Sequence, residues 1–523
     1  MNQKSNSVVR GALLLTISAL MIKVIGVVYK IPLSYMLGEE GMGYFNSAYT
    51  IYGFFYIVSA SGVPKAITMI VARMSDETSN GTSNVCRKLL SIFSALGIGL
   101  TMLLLGLAKP LSYLIGNNKA VYAIFAVAPS VFFATLSGVI RGYLNGRSRL
   151  APIAVSQLIE ALCKLLLGLV LAYIGKMLML PLGMIAALVI LGITMGSVFA
   201  LVYLYLASFG IERRHDIKDG SDTLAIKSVL FDIARIGIPI TVSSAVAALS
   251  GILDLSLITN GLRKGGVSEE SAIAIYGNYS TLAVPMLGLV SSLLMPLSVA
   301  ILPRLAACDN AGSFRKQLNR ALELCVAISS PIMIIYGLYA FELLDILFPS
   351  GSSAAGALAF SVLSLSAVLL PVLNLVNTAL EASGKTIQVL ISLVCGAIMK
   401  AIVGIALIPN REFGIVGAAI GSVVSYAFSL VLSCVFLANT KGSCGFGRVG
   451  VNLMLAALCY VPTFILIYAR NMFENALISM LVSVAISSVA YAFLTAFISF
   501  GDDIKVLKYH YAQKKRAKTK ARL

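Results

Sequence analysis

The chain has 523 residues, 59% of them hydrophobic and 12% charged, with a mean hydropathy of +0.93. A surface of that composition cannot be wetted, which excludes soluble enzymes and soluble binding modules. The net charge of +18 sits mostly between and beyond apolar runs, so it points to a membrane surface and not to nucleic acid. Two histidines, His215 and His510, and eight scattered cysteines without a C-x-x-C pair give no reason to expect a metal site, a cofactor or a disulfide framework.

The first apolar run, residues 11–37 (GALLLTISALMIKVIGVVYKIPLSYML), carries Lys23 near its middle and Lys30 seven residues later. Lys23 would lie roughly 18 Å along a helix, too deep for easy snorkelling, and a spacing of seven puts both ammonium groups on one face. A cation at mid-depth costs about 2.5–3.5 kcal/mol, so such residues face a polar cavity or a partner. The two lysines either line a hydrated, anion-binding cavity or are matched by carboxylates from other helices. No small-residue cleavage site follows the run, so it is expected to remain in the protein.

Further apolar runs follow at 43–72, 86–108, 119–142, 151–175, 181–209, 229–260, 273–304, 318–340, 355–380, 386–408, 413–438, 449–469 and 474–500, fourteen in all. With the N-terminus placed in the cytoplasm, 27 basic residues fall on inner segments and 7 on outer ones. A miscounted span would scramble that asymmetry. The expectation is therefore an all-α integral membrane protein of a bacterial-type cell membrane, with about 14 transmembrane helices and both termini cytoplasmic. Eight basic residues crowd the end of the chain, from Lys505 to Arg522. Such a tail reads as an anchor to anionic lipid.

Some basic residues lie inside the runs. Lys65 in the second run sits beside the break Gly62-Val63-Pro64, and Lys164 lies in the middle of the fifth. Together with Lys23 and Lys30 they form a candidate site for phosphate. Glu160 precedes Lys164 by four residues, which suits either an intrahelical pair or separate roles. Asp254 in the seventh run is a candidate carboxylate for ion or proton coupling, a counter-ion for Lys400 of the eleventh, or an interfacial residue. The stretch Glu381-Ala-Ser-Gly-Lys-Thr386 only ends like a phosphate loop; Ala379 and the preceding apolar run argue against one.

An internal repeat runs at an offset of six helices. The fifth run reads KLLLGLVLA from Lys164 and the eleventh KAIVGIALI from Lys400, each with Gly four residues on. The following runs each carry GxxxG, at Gly192/Gly196 and Gly417/Gly421, and Pro129 and Pro371 mark the preceding ones. The expected layout is a first lobe over 1–210, a cytoplasmic linker at 211–226, and a second lobe over 227–440. Two extra helices then occupy 441–501, and the basic tail 502–523. Six helices per repeat keep both copies in one orientation, with a central cleft between the two lobes.

Ile22-Lys-Val-Ile-Gly26 followed by Lys30, Gly38-Glu-Glu-Gly-Met-Gly-Tyr44, Ser61-Gly-Val-Pro-Lys-Ala-Ile67, Ser156-Gln-Leu-Ile-Glu160 and Gly414-Ile-Val-Gly-Ala-Ala-Ile-Gly421 resemble one family. It is the polysaccharide-exporter branch of the multidrug/oligosaccharidyl-lipid/polysaccharide exporter superfamily, on the side of its stage V sporulation protein B and MurJ-like members. The resemblance implies a two-lobed flippase that moves an undecaprenyl-diphosphate-linked saccharide from the inner to the outer leaflet. It also implies that first- and second-helix cations serve the diphosphate. Lys23 and Lys30 match the first-helix pair, as Lys where Arg is common, which keeps the charge and gives up the bidentate fork. In the eighth run the stretch YGNYSTLAVPMLGLVSSLLMP offers no basic match to the family.

The expected activity is thus alternating-access transport of a lipid-linked oligosaccharide by a monomer, without catalysis or a nucleic-acid partner. Na⁺, H⁺ or the membrane potential would drive it. A cation-coupled multidrug antiporter on the same fold is the alternative, and it requires free acidic residues. A membrane glycosyltransferase would require a large outer loop or convergent carboxylates, and the sequence has neither.

Overall fold

A computed structural model describes residues 2–74, 79–209, 223–306, 308, 310–347, 353–441, 447–469 and 478–495. The expected basic tail and most of the expected linker at 211–226 lie outside the described residues. Among the described residues all regular structure is helical. An apolar chain in lipid must satisfy its own backbone donors and acceptors, and a helix does so within one segment.

In chain order the helices are α1 (Asn2–Ala60), α2 (Gly62–Met74), α3 (Ser79–Leu114), α4 (Val121–Gly146), α5 (Ala151–Met177) and α6 (Leu182–Phe209). Then come α7 (Thr223–Lys264), α8 (Glu269–Asn278), α9 (Val284–Ala306), α10 (Ala311–Leu338), α11 (Ala340–Leu347) and α12 (Ser353–Leu363). The last are α13 (Ser366–Ala382), α14 (Thr386–Leu407), α15 (Ile415–Lys441), α16 (Gly447–Ala469) and α17 (Ile478–Thr495). Among the described residues, twelve helical stretches are long and apolar enough to cross a membrane. One of them, Ile17–Ala72, has 56 residues, about 84 Å if straight against a hydrocarbon core of about 30 Å. It breaks at Gly38, where φ is 66°, a conformation open to glycine at no steric cost. That stretch accommodates the first two expected spans. The thirteenth corresponds to α16, whose apolar core Gly450–Ile465 is shorter.

The chain divides into two compact units. The first comprises Met1–Leu293, Leu347–Ala359 and Leu393–Ser425. Its core gathers Ile67, Val71, Leu89, Ile140, Tyr143 and Leu204 from α2, α3, α4 and α6. Small residues set the helix spacing. A Cβ on Gly192 would stand 2.7 Å from the Gly168 nitrogen, and one on Gly196 would stand 2.8 Å from the Glu160 carbonyl. The GxxxG of α6 therefore lies backbone to backbone on α5. Gly421 of α15 likewise faces the Lys400 carbonyl of α14, at 3.4 Å, so both GxxxG helices dock on the helix that carries the mid-membrane lysine.

The second unit comprises Leu294–Ile346, Phe360–Ser392 and Tyr426–Leu523. Here α10, α16 and α17 share a core of Ile334, Cys459, Tyr460 and Tyr491, with Tyr460 and Ser488 hydrogen-bonded at 2.8 Å. A buried polar chain ties α13, α14 and α15 together. Ser433 donates to Asn377 at 2.9 Å and meets the Ser392 hydroxyl at 2.9 Å.

Gly192→Val should lower stability by about 1–3 kcal/mol, because backbone and not a flexible side chain occupies the space. Gly99→Ala meets nothing within 4 Å and should leave the melting temperature in detergent unchanged or slightly raised. Equal melting temperatures for wild type and Gly192→Val would refute the close contact of α5 and α6.

Candidate anion-binding site

Lys30 lies on α1 and is partly buried. Its ammonium donates to Asn46 Oδ1 at 3.3 Å and to the Ser280 carbonyl at 3.1 Å. That carbonyl is available for a local reason. Residues Tyr279–Ala283 form a π-helical turn in which the Val284 N–H bonds to the Tyr279 carbonyl, one residue earlier than an α-helix would have it. The next donor along the chain would be residue 285, a proline without an N–H. Ser280 is thereby left without a helical partner, and Lys30 takes it. Such turns recur at functional sites because they release backbone groups.

Asn46 completes the arrangement by donating to Thr281 Oγ1 at 2.6 Å. Here α1 and α8 approach almost to backbone contact: a Cβ on Gly43 would stand 2.3 Å from the Ile273 carbonyl, and one on Gly277 2.3 Å from the Glu39 carbonyl. Farther along, Lys119 pairs with Glu270 at 2.9 Å and with Glu40 at 3.7 Å. Elsewhere a Cβ on Gly62 of α2 would stand 2.1 Å from the Gly237 carbonyl of α7.

Lys164 does not bond to a carboxylate. Its ammonium lies 4.1 Å from the Tyr49 ring centroid and 5.6 Å from that of Tyr29, held by the negative faces of the rings. Gly168, four residues on, makes room for this. A Cβ there would stand 2.5 Å from the Tyr29 hydroxyl. Phe45 stacks on Tyr49 at 5.9 Å with an interplanar angle of 9°. Lys30 and Lys164 are within electrostatic range of each other, and Lys23 and Lys164 both bear on Tyr49. Lys30 and Lys164 thus share one neighbourhood, with Lys23 in electrostatic range of Tyr49. Lys23 on α1 and Lys65 at the start of α2 are both exposed.

The acids are already engaged. Glu160 pairs with Arg141 of α4 at 2.9 Å and accepts from Ser197 at 3.3 Å, which corrects the expected option of a Glu160–Lys164 pair. Arg141, counted from sequence with the loop charges, is inside α4 with its side chain only 11% exposed. A guanidinium across the helix interface offers Glu160 a better-directed donor than a lysine on the same helix. Asp254 of α7 pairs with Lys400 of α14, as the counter-ion reading anticipated. A cavity of about 10 Å³ adjoins them, lined also by Tyr279 and Ser422, about the size of one water.

Sequence reasoning missed Asn46, Ser280 and Arg141. The first two had one trace in the sequence, Pro285 within an otherwise apolar run. Arg141 had none, because its depth depends on where α4 begins.

The chain matches the family described as polysaccharide biosynthesis protein over residues 8–308. It is 25% identical to stage V sporulation protein B of Bacillus subtilis over 81% of this chain and 82% of that one. It is 21% identical to the lipid II flippase MurJ of the same organism, over 84% of each. A solved structure of lipid II flippase MurJ in an inward closed conformation superposes with a TM-score of 0.73 at 13% identity, covering 94% of this chain and 100% of that one. Family match, relatives and fold together define a multi-pass helical membrane transporter of the multidrug/oligosaccharidyl-lipid/polysaccharide exporter superfamily. Within it, the chain belongs to the polysaccharide biosynthesis protein family.

Arg141→Gln should destabilise the protein by about 3 kcal/mol, since it strands a partly buried carboxylate, and Arg141→Gln/Glu160→Gln should recover more than half of that loss. Thermal melts of the four proteins of the cycle check this. Strictly additive losses would show that the two side chains do not interact.

Proposed function

We propose that the protein is a flippase that moves an undecaprenyl-diphosphate-linked saccharide from the inner to the outer leaflet by alternating access. One observation carries the reading. Among the described residues, Lys23, Lys30 and Lys164 have no carboxylate at ion-pair distance, whereas Glu160 and Asp254 each hold a cation of the protein itself. A site with spare positive charge and committed acids suits a diphosphate and repels a cationic drug. The relationship to a protein named as a lipid II flippase supports a lipid-linked substrate.

In this mechanism the polyprenyl tail stays in lipid while the headgroup meets Lys65 on entry and then reaches Lys23, Lys30 and Lys164. The diphosphate replaces the neutral acceptors of Lys30, Asn46 Oδ1 and the Ser280 carbonyl, with charge-assisted bonds of roughly twice their strength. Losing the Lys30–Ser280 link frees α1 from the π-helical turn, and the Gly43–Gly277 contact can then open toward the outer leaflet. No chemistry on the substrate is needed. Two negative charges moving outward across an inside-negative potential gain about 2.3 kcal/mol per charge per 100 mV, so the potential can drive the cycle. The Asp254–Lys400 pair is the place where H⁺ or Na⁺ would add to it.

Proteoliposomes with a polyprenyl-diphosphate-linked disaccharide and a leaflet-specific probe test the proposal. Flipping should accelerate with an inside-negative potential. Lys30→Ala and Lys164→Ala should each slow it at least about tenfold, the loss of one or more charge-assisted contacts, and Lys65→Ala should slow it less. Normal flipping by Lys30→Ala would sink the diphosphate assignment. Dye efflux abolished by Glu160→Gln would favour the antiporter.

A further inference from the structure

We propose that the groove between the end of α9 and the first turns of α10 binds the phosphate of an anionic membrane phospholipid, with an acyl chain along its apolar wall. The groove holds about 650 Å³ and is lined by Arg304, Gln317 and Arg320 together with Leu297, Ile301 and Leu324. Among the described residues no carboxylate lines it. It uses none of the residues assigned to the diphosphate.

The placement of the arginines makes the case. Arg304 lies in the last turn of α9. Arg320 lies nine residues after Ala311, just before the apolar stretch Ala321–Leu338 of α10, and its side chain is exposed. An exposed guanidinium at that membrane entrance meets the layer where anionic headgroups gather. Two guanidinia on one groove suit a phosphate, whose oxygens accept paired N–H bonds. The apolar wall would give a free phosphate nothing, whereas it gives an acyl chain a surface to cover.

The groove is also held open. Gln317 Nε2 donates to Cys308 Sγ at 3.2 Å, and Cys308 Sγ donates to the Arg304 carbonyl at 3.2 Å. Asn310 caps α10 by accepting from the Ser313 N–H at 2.7 Å. These bonds tie Gln317 of α10 through Cys308 to the last turn of α9 before any ligand arrives, so little ordering cost is left for binding.

Native mass spectrometry of the full chain, purified from membranes containing phosphatidylglycerol and phosphatidylethanolamine, tests the site. The wild type should retain phosphatidylglycerol, and Arg304→Gln/Arg320→Gln should retain it at least about tenfold less with an unchanged melting temperature. Arg304→Lys/Arg320→Lys should retain an intermediate amount. Arg411→Gln, in a turn elsewhere that bonds the Gly265 carbonyl, should behave as wild type. Undiminished retention by the glutamine variant overturns the proposal. So does competition by inorganic phosphate at equal concentration, which would make the groove a headgroup-only site. Displacement by an equimolar polyprenyl diphosphate overturns it as well, by giving the groove to the transported lipid.

Discussion

An ammonium group inside a membrane must find acceptors, and Lys30 finds them in the backbone of another helix. The bond to the Ser280 carbonyl exists because Pro285 cannot donate and Val284 has shifted its bond to Tyr279. That defect couples two helices 250 residues apart in sequence. It also explains why α1 and α8 run so close, with glycines at 43 and 277 where side chains would collide with backbone. A carbonyl is a weaker partner for a cation than a carboxylate, and this leaves Lys30 open to exchange with an anion. Had the partner been an aspartate, the lysine would be locked and the charge of the site cancelled.

The same economy appears around Lys164. Its ammonium rests on the faces of Tyr29 and Tyr49, which stabilise the charge without neutralising it. Glu160, one turn away on the same helix, is turned instead to Arg141. Lys400, which the sequence pattern matches to Lys164, meets Asp254. One lysine thus rests on ring faces and the other on a carboxylate. The GxxxG helices dock on both lysine helices in similar fashion, so alike packing carries unlike electrostatics.

The helices, most span boundaries and the break after the first span were legible because each depends on local composition: apolar length, Gly38 at a left-handed backbone position, and Pro64 at the start of α2. The site was legible in part. Lys23, Lys30 and Lys164 stood out because the bilayer penalises them wherever they point, whereas the Ser280 carbonyl that Lys30 meets after α8 carries no charge to read in the sequence. Arg141 was hidden among loop charges, although it ends with only 11% of its side chain exposed.

By itself, then, the chain's order of residues determined that it spans a membrane many times and holds positive charge at mid-depth, because burial in hydrocarbon acts on each segment independently of its neighbours. Only the three-dimensional packing decided which charges cancel. Whether a lysine meets an acid, a ring face or a bare carbonyl depends on what another helix presents at the same depth, and helical periodicity says nothing about the partner. That choice separates Lys164, which rests on ring faces, from Lys400, which meets Asp254.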